Sequence, residues 1–133
     1  MIVSRILTTI GSIVSISLGI WHFTVPSAWN WYSYITPEAK ELVTAVRAVN
    51  IFFSLSLVLF GIITILIMFG KNAGSYSRAV LLGAVTVLWL TRVVTQIVWP
   101  QGSMNPILQY GMLSLFTAVF LCFLVSLFLV LKK

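Results

Sequence analysis

Residues 44–70 read TAVRAVNIFFSLSLVLFGIITILIMFG. From Ile51 to Gly70 no residue carries a charge, and ~20 such residues are what an α-helix needs to cross the hydrocarbon core of a bilayer. The stretch is therefore read as a membrane-length helix. Its first turns nevertheless carry Arg47 and, three residues on, Asn50. Whether the chain is a passive bundle or holds a site depends on what those two groups face.

The surrounding sequence is of the same kind. Of 133 residues, 60% are hydrophobic and 8% charged, which places the chain outside the range of soluble domains of this length. Four apolar stretches qualify as spans: 6–23, 42–70, 79–99 and 107–131. Pro26 and Pro37, the run from Gly70 to Gly74, and Pro100 and Pro106 interrupt them, because proline limits helix continuation. The predicted fold class is all-α, an integral membrane four-helix bundle forming a single transmembrane domain over 1–133. Residues 24–41 are too polar and too short to span and read as an interfacial outer loop with a helical turn.

Arg5, Lys71, Arg78, Lys132 and Lys133 fall at the N-terminus, the middle connection and the C-terminus. Basic residues favour the cytoplasmic side, so both termini are expected there, in a bacterial plasma membrane. The first and third connections then face outward, with Trp21, Trp29, Trp31, Tyr32, Tyr34 and Trp99 at the outer boundary, where amphipathic rings form belts. Arg5 followed by an apolar run also fits a signal peptide, but Gly11, Ser15 and Gly19 give that run a small-residue packing face. The net charge of +6 comes from cations scattered among apolar runs, which excludes a phosphate-tracking stripe and hence nucleic acid as a partner. A lone Cys122 leaves no internal disulfide.

Polar residues inside the spans gather toward one end. His22 shares a face with Ser15 and Gly19. Arg47, Asn50, Ser54 and Gly61 recur at helical spacing, a stripe expected to be buried in protein. Arg92, Gln96 and Trp99 form a second series, and Gln109 and Tyr110 open the last span. Arg47 and Arg92 lie at matching depths, roughly 8 and 10 Å from the outer ends at 1.5 Å per residue. The opposite half of the spans shows almost no polar groups. Each arginine alone could reach the headgroups; together they point to a shared polar chamber, since ionisable groups within a membrane mark sites. Two guanidiniums about 6 Å apart repel by roughly 3 kcal/mol at an effective dielectric of 20. Glu38 and Glu41 folding inward, or an external anion, would offset this. A carboxylate, phosphate or lipid headgroup suits the guanidinium fork.

WHFTVP, after the first span, and VRAVNIFFSLSLVLFG, opening the second, resemble the small four-helix membrane proteins of the DoxX-like superfamily. The resemblance implies a four-helix integral membrane fold and a link to quinol oxidation, thiol or sulfur redox chemistry, or membrane-protein assembly. It carries no catalytic residue across, and the chain has no cysteine pair.

The expected function is a pocket facing outward that binds an anionic small molecule or lipid headgroup through Arg47, Asn50, Arg92, Gln96, Trp99, Gln109 and Tyr110, the protein acting alone or as an accessory subunit of a membrane complex. A second reading is a membrane enzyme acting on a quinone or isoprenoid, with His22 as acid or base. A third is a structural partner subunit. No cofactor is predicted, although a quinone or bound lipid fits the pocket, and one His with one Cys is too few ligands for a haem or zinc site. Membrane lipids are expected partners; a homo-oligomer or a partner membrane subunit stays open.

Overall fold

The computed structural model describes residues 2–132. Its long helices are α1 (Ile2–His22), α3 (Lys40–Phe69), α4 (Ser75–Val98) and α5 (Pro106–Leu131); the short α2 (Val25–Ala28) and a 3-10 turn (Trp31–Tyr34) lie between α1 and α3. All four long helices are long and apolar enough to cross a membrane. They alternate in direction. One end of the bundle, here the head, carries the connections 23–39 and 99–105; the other, the foot, carries the start of α1, the end of α5 and the 70–74 turn.

The helices start earlier than hydropathy alone predicts, α1 at Ile2 and α4 at Ser75. Arg5 and Arg78 lower local hydropathy but are good helix formers, so the helices run through them. Arg78 has a further role. Its Nη2 donates to the Gly70 carbonyl at 3.0 Å, satisfying an acceptor at the C-terminal end of α3, where cations are favoured. At the start of α5, Asn105 accepts from the backbone N–H of Ile107 at 3.0 Å, and Pro106 follows it. Asparagine as cap and proline at the first helical position are the residues that such an end favours.

Small residues set the closest packing. A Cβ built on Gly19 would lie 2.7 Å from the Ser54 carbonyl oxygen, and one on Gly61 would lie 2.5 Å from Ile16 and 2.9 Å from the Ser12 carbonyl oxygen. The backbones of α1 and α3 thus approach closely, as small residues permit where no hydrophobic force drives helices together. Ser15 Oγ donates across this seam to the Leu57 carbonyl at 3.1 Å. At the foot, α1 and α5 are tied reciprocally: Ser4 Oγ donates to the Ser126 carbonyl at 3.3 Å and Ser126 Oγ to the Ser4 carbonyl at 3.2 Å.

Buried hydroxyls at Ser4, Thr8, Ser12, Thr64 and Ser126 correct the expectation that this half is almost without polar groups. Thr64 gives its hydroxyl to the Phe60 carbonyl of its own helix at 2.6 Å, Ser4 and Ser126 bond across helices, and the Thr8 and Ser12 hydroxyls are buried without a partner.

The core joins Met68, Leu82, Val85, Trp89, Phe116, Val119, Phe123 and Val130. Around the bundle the order of packing is α3, α1, α5, α4, and the ring closes only weakly between α4 and α3. Those two helices are joined at the 70–74 turn and part toward the head.

Candidate functional site

Among the described residues no side chain fills the gap between α3 and α4. That gap forms a cavity of about 470 Å³ walled by α1, α3, α4, α5 and the head connections. Along α1 the wall runs from His22 at the head down to Leu18 and Ser15; along α3, from Phe53 to Leu57 and Phe60; along α4, from Thr95 and Arg92 to Leu88 and Val85. Trp21, Trp29 and Trp31 cover the head side, and Trp89 and Phe116 back it. A second recess shares His22, Trp31, Phe53, Arg92, Thr95 and Gln101 with the first and extends to Asn50 and Val46. His22 and Arg92 therefore face common space.

Arg92 is half-buried. Its guanidinium carbon lies 4.2 Å from the centre of the Phe116 ring, a cation–π stack of the kind arginine favours. Nη1 donates to Thr95 Oγ1 at 3.4 Å and, weakly, to Gln96 Oε1 at 3.5 Å, and Nη2 donates to Gln101 Oε1. Every one of these partners is neutral. Among the described residues, Arg92 is the one permanently charged side chain on the cavity wall. Gln96, 2% exposed, does not line the cavity but braces it: its Nε2 donates to the carbonyls of Gln101 at 3.0 Å and Gln109 at 3.4 Å. It thereby ties α4, the 99–105 connection and the start of α5 together. Gly102, at φ 74°, supplies the left-handed bend that returns this connection toward α5, a conformation glycine adopts without cost to a side chain.

His22 is held by Asn50. The Asn50 Nδ2 donates to the His22 backbone carbonyl at 3.2 Å, while Nδ1 of the ring lies 2.8 Å from Asn50 Oδ1. An amide whose nitrogen is committed to a carbonyl must present its oxygen to the ring, so Nδ1 carries the hydrogen in the neutral imidazole. Nε2 is left as the unprotonated acceptor. Phe53 and Trp31 pack edge-on against the ring, with centroids at 4.7 and 6.1 Å.

The structure brings together His22, Asn50, Arg92 and Gln96, with the Gln109 backbone as a brace. It does not bring Arg47 to them. Arg47 is exposed and lies 5.4 Å from the Tyr32 ring centre, outside both recesses. The expected pairing of two arginines is thus corrected, and the reason is the length of α1. Asn50 is level with His22, the last residue of that helix, so a residue one turn earlier on α3 has no α1 to face and meets the 3-10 turn instead. Trp99 and Tyr110, 74% and 62% exposed, also lie off the cavity, Trp99 because α4 has ended. Glu38 and Glu41 are exposed and do not turn inward.

Sequence reasoning missed Trp31, Phe53, Thr95, Gln101 and Phe116. Trp21, Trp29 and Trp31, which the sequence assigns to a boundary belt, also line the chamber. Gln101 had a signal, a polar residue in the short connection directly after the Arg92 and Gln96 series; the others had none on so uniformly apolar a background. Among the described residues no three His, Cys, Asp or Glu side chains gather as a metal site. The chemistry available is therefore that of a cation, a fixed imidazole and aromatic rings at the mouth of an apolar slot. No family model, curated protein or solved structure matches this chain.

Proposed function

We propose that the protein is an integral membrane four-helix bundle, with both termini cytoplasmic, that binds an anionic small molecule or lipid headgroup in the chamber around Arg92. One observation carries the reading: a half-buried guanidinium on the wall of a cavity of about 470 Å³, with only neutral partners. A cation taken from water is best stabilised by a charge-assisted bond to an anion. The apolar slot below it accommodates the body to which that anion is attached. The orientation draws on Arg5, Lys71, Arg78 and Lys132 sharing the foot and on the bias of such residues to the cytoplasm.

Native mass spectrometry of the chain purified alone tests this. A retained anionic species, lost from Arg92→Ala, is the expected result; removing a charged hydrogen bond of about 1.5–3 kcal/mol corresponds to roughly 10- to 150-fold in affinity. A chain that is unstable without another subunit and retains nothing would favour a structural partner instead.

The ordered imidazole favours a second reading, an enzyme acting on a lipid-soluble substrate. Asn50 leaves Nε2 of His22 free to accept a proton beside the cation of Arg92, which could stabilise developing negative charge. Turnover lost in His22→Ala with ligand binding intact would support it.

A further inference from the structure

We infer that the ligand is an amphiphile with one tail and an anionic head, which enters sideways from the bilayer between α3 and α4. This rests on the anion-binding reading of Arg92 above and adds the size, orientation and route of what binds.

Size comes from volume. At about 30 Å³ per water-sized group, 470 Å³ holds roughly sixteen non-hydrogen atoms. That suits a carboxylate on a chain of about a dozen carbons, or the head and upper chain of a lysolipid. A phospholipid with two tails is several times too large to be enclosed by this slot.

Orientation comes from the order of residues along the walls. On α4, Leu88 and Val85 lie four and seven residues below Arg92, roughly 6 and 10 Å toward the foot. On α3, Leu57 and Phe60 lie four and seven residues below Phe53, and on α1 Leu18 lies four below His22. Three helices thus each place a polar or aromatic group at the head and an apolar side chain one turn beneath it; Ser15, two turns below His22, spends its hydroxyl on the Leu57 carbonyl. A tail set in this slot runs parallel to the helices, as the acyl chains of a bilayer do, with its anion on Arg92.

The route is the seam where the ring of helices is weakest. Ser56 and Phe60 on α3 and Leu88 and Thr91 on α4 both line the cavity and are exposed, so the wall there is also a rim open to the side. The α1–α3 seam is closed by Gly19 on Ser54 and Ser15 on Leu57, the α1–α5 seam by Gly11 against Phe123 and the paired Ser4 and Ser126 bonds, and the α4–α5 seam by Trp89 against Phe116.

Trp21, Trp29, Trp31 and Trp89 on the wall make binding visible by quenching. The full chain in phosphatidylcholine nanodiscs is titrated with four probes brominated on the tail: a fatty acid of about a dozen carbons, a lysophospholipid with an anionic head, a two-tailed phosphatidylglycerol, and a trimethylammonium amphiphile as long as the fatty acid. Saturable quenching is expected from the fatty acid or the lysophospholipid and not from the ammonium probe. It should weaken at least about tenfold in Arg92→Ala and less in Arg92→Lys, which keeps the charge and guards against misfolding. Leu88→Trp, which fills the slot without touching Arg92, should abolish it.

Saturable quenching by the two-tailed lipid alone overturns the single-tail inference while the anion reading stands. Quenching by the anionic single-tailed probes that survives Leu88→Trp overturns the lateral slot alone. Equal quenching by the ammonium probe, indifference to Arg92→Ala, or no saturable quenching by any probe overturns both.

Discussion

Asn50 uses both ends of its amide on one residue of another helix, the backbone and the ring of His22. Because His22 is the single histidine of the chain, nitrogen-15 NMR of histidine-labelled protein reads its tautomer directly. Above the titration of the ring, a protonated Nδ1 and an unprotonated Nε2 are expected, and Asn50→Ala should release this bias toward a mixture. A wild-type spectrum with hydrogen on Nε2 would refute the assignment. Cross-helix polar contacts in membranes average about 0.6 kcal/mol, so the same variant should lower unfolding stability by roughly 1 kcal/mol. The sequence put Asn50 on a buried stripe correctly, but it put Arg47 there as well. Helical spacing tells which side of a cylinder a residue occupies; it does not tell where the neighbouring cylinder stops.

Between α1 and α3, glycine marks where two elements touch. Gly61→Ala forces a methyl within 3 Å of Ile16 and the Ser12 carbonyl, and overpacking of this kind costs about 1–3 kcal/mol. Gly83 and Gly111, also helical, have nothing within 4 Å of a built Cβ, so alanine there should be neutral or stabilise by about 0.5–1 kcal/mol. Thermal unfolding in detergent should separate the three variants into one loser and two that hold or gain; a Gly61→Ala chain as stable as wild type would mean the seam is looser than described. The glycine spacing of α1 was legible because small residues stand out among Ile, Leu and Val. The buried face of α5, built on Phe116, Val119, Phe123, Ser126 and Val130, was not. A helix apolar on every side has no preferred face until its neighbours are known.

Four long apolar helices and their alternation could be read from hydropathy and punctuation, whereas the order in which they surround the core could not, since their outward-facing and core-facing surfaces are equally apolar. For the same reason the chamber was anticipated as a set of polar groups but not as a slot between α3 and α4. The orientation read from basic residues makes its own prediction. After Cys122 is replaced by Ala, a cysteine at Asn30 should react with an impermeant maleimide on intact cells, and one at Lys71 only after the membrane is opened. The reverse pattern would invert the topology.

At the foot the reciprocal serine bonds pin α1 to α5 and the Arg78 clasp pins α3 to α4. At the head Asn50 holds α3 to α1 and Gln96 holds α4 to α5, so the molecule has the mechanics of tweezers whose two arms are α1 with α3 and α4 with α5. Loading and unloading then strain only the tips, so amide hydrogen exchange should slow around Phe53 and Thr91 when the slot fills and stay constant near Ser4 and Ser126. A guest can come and go without the chain ever loosening its grip on itself.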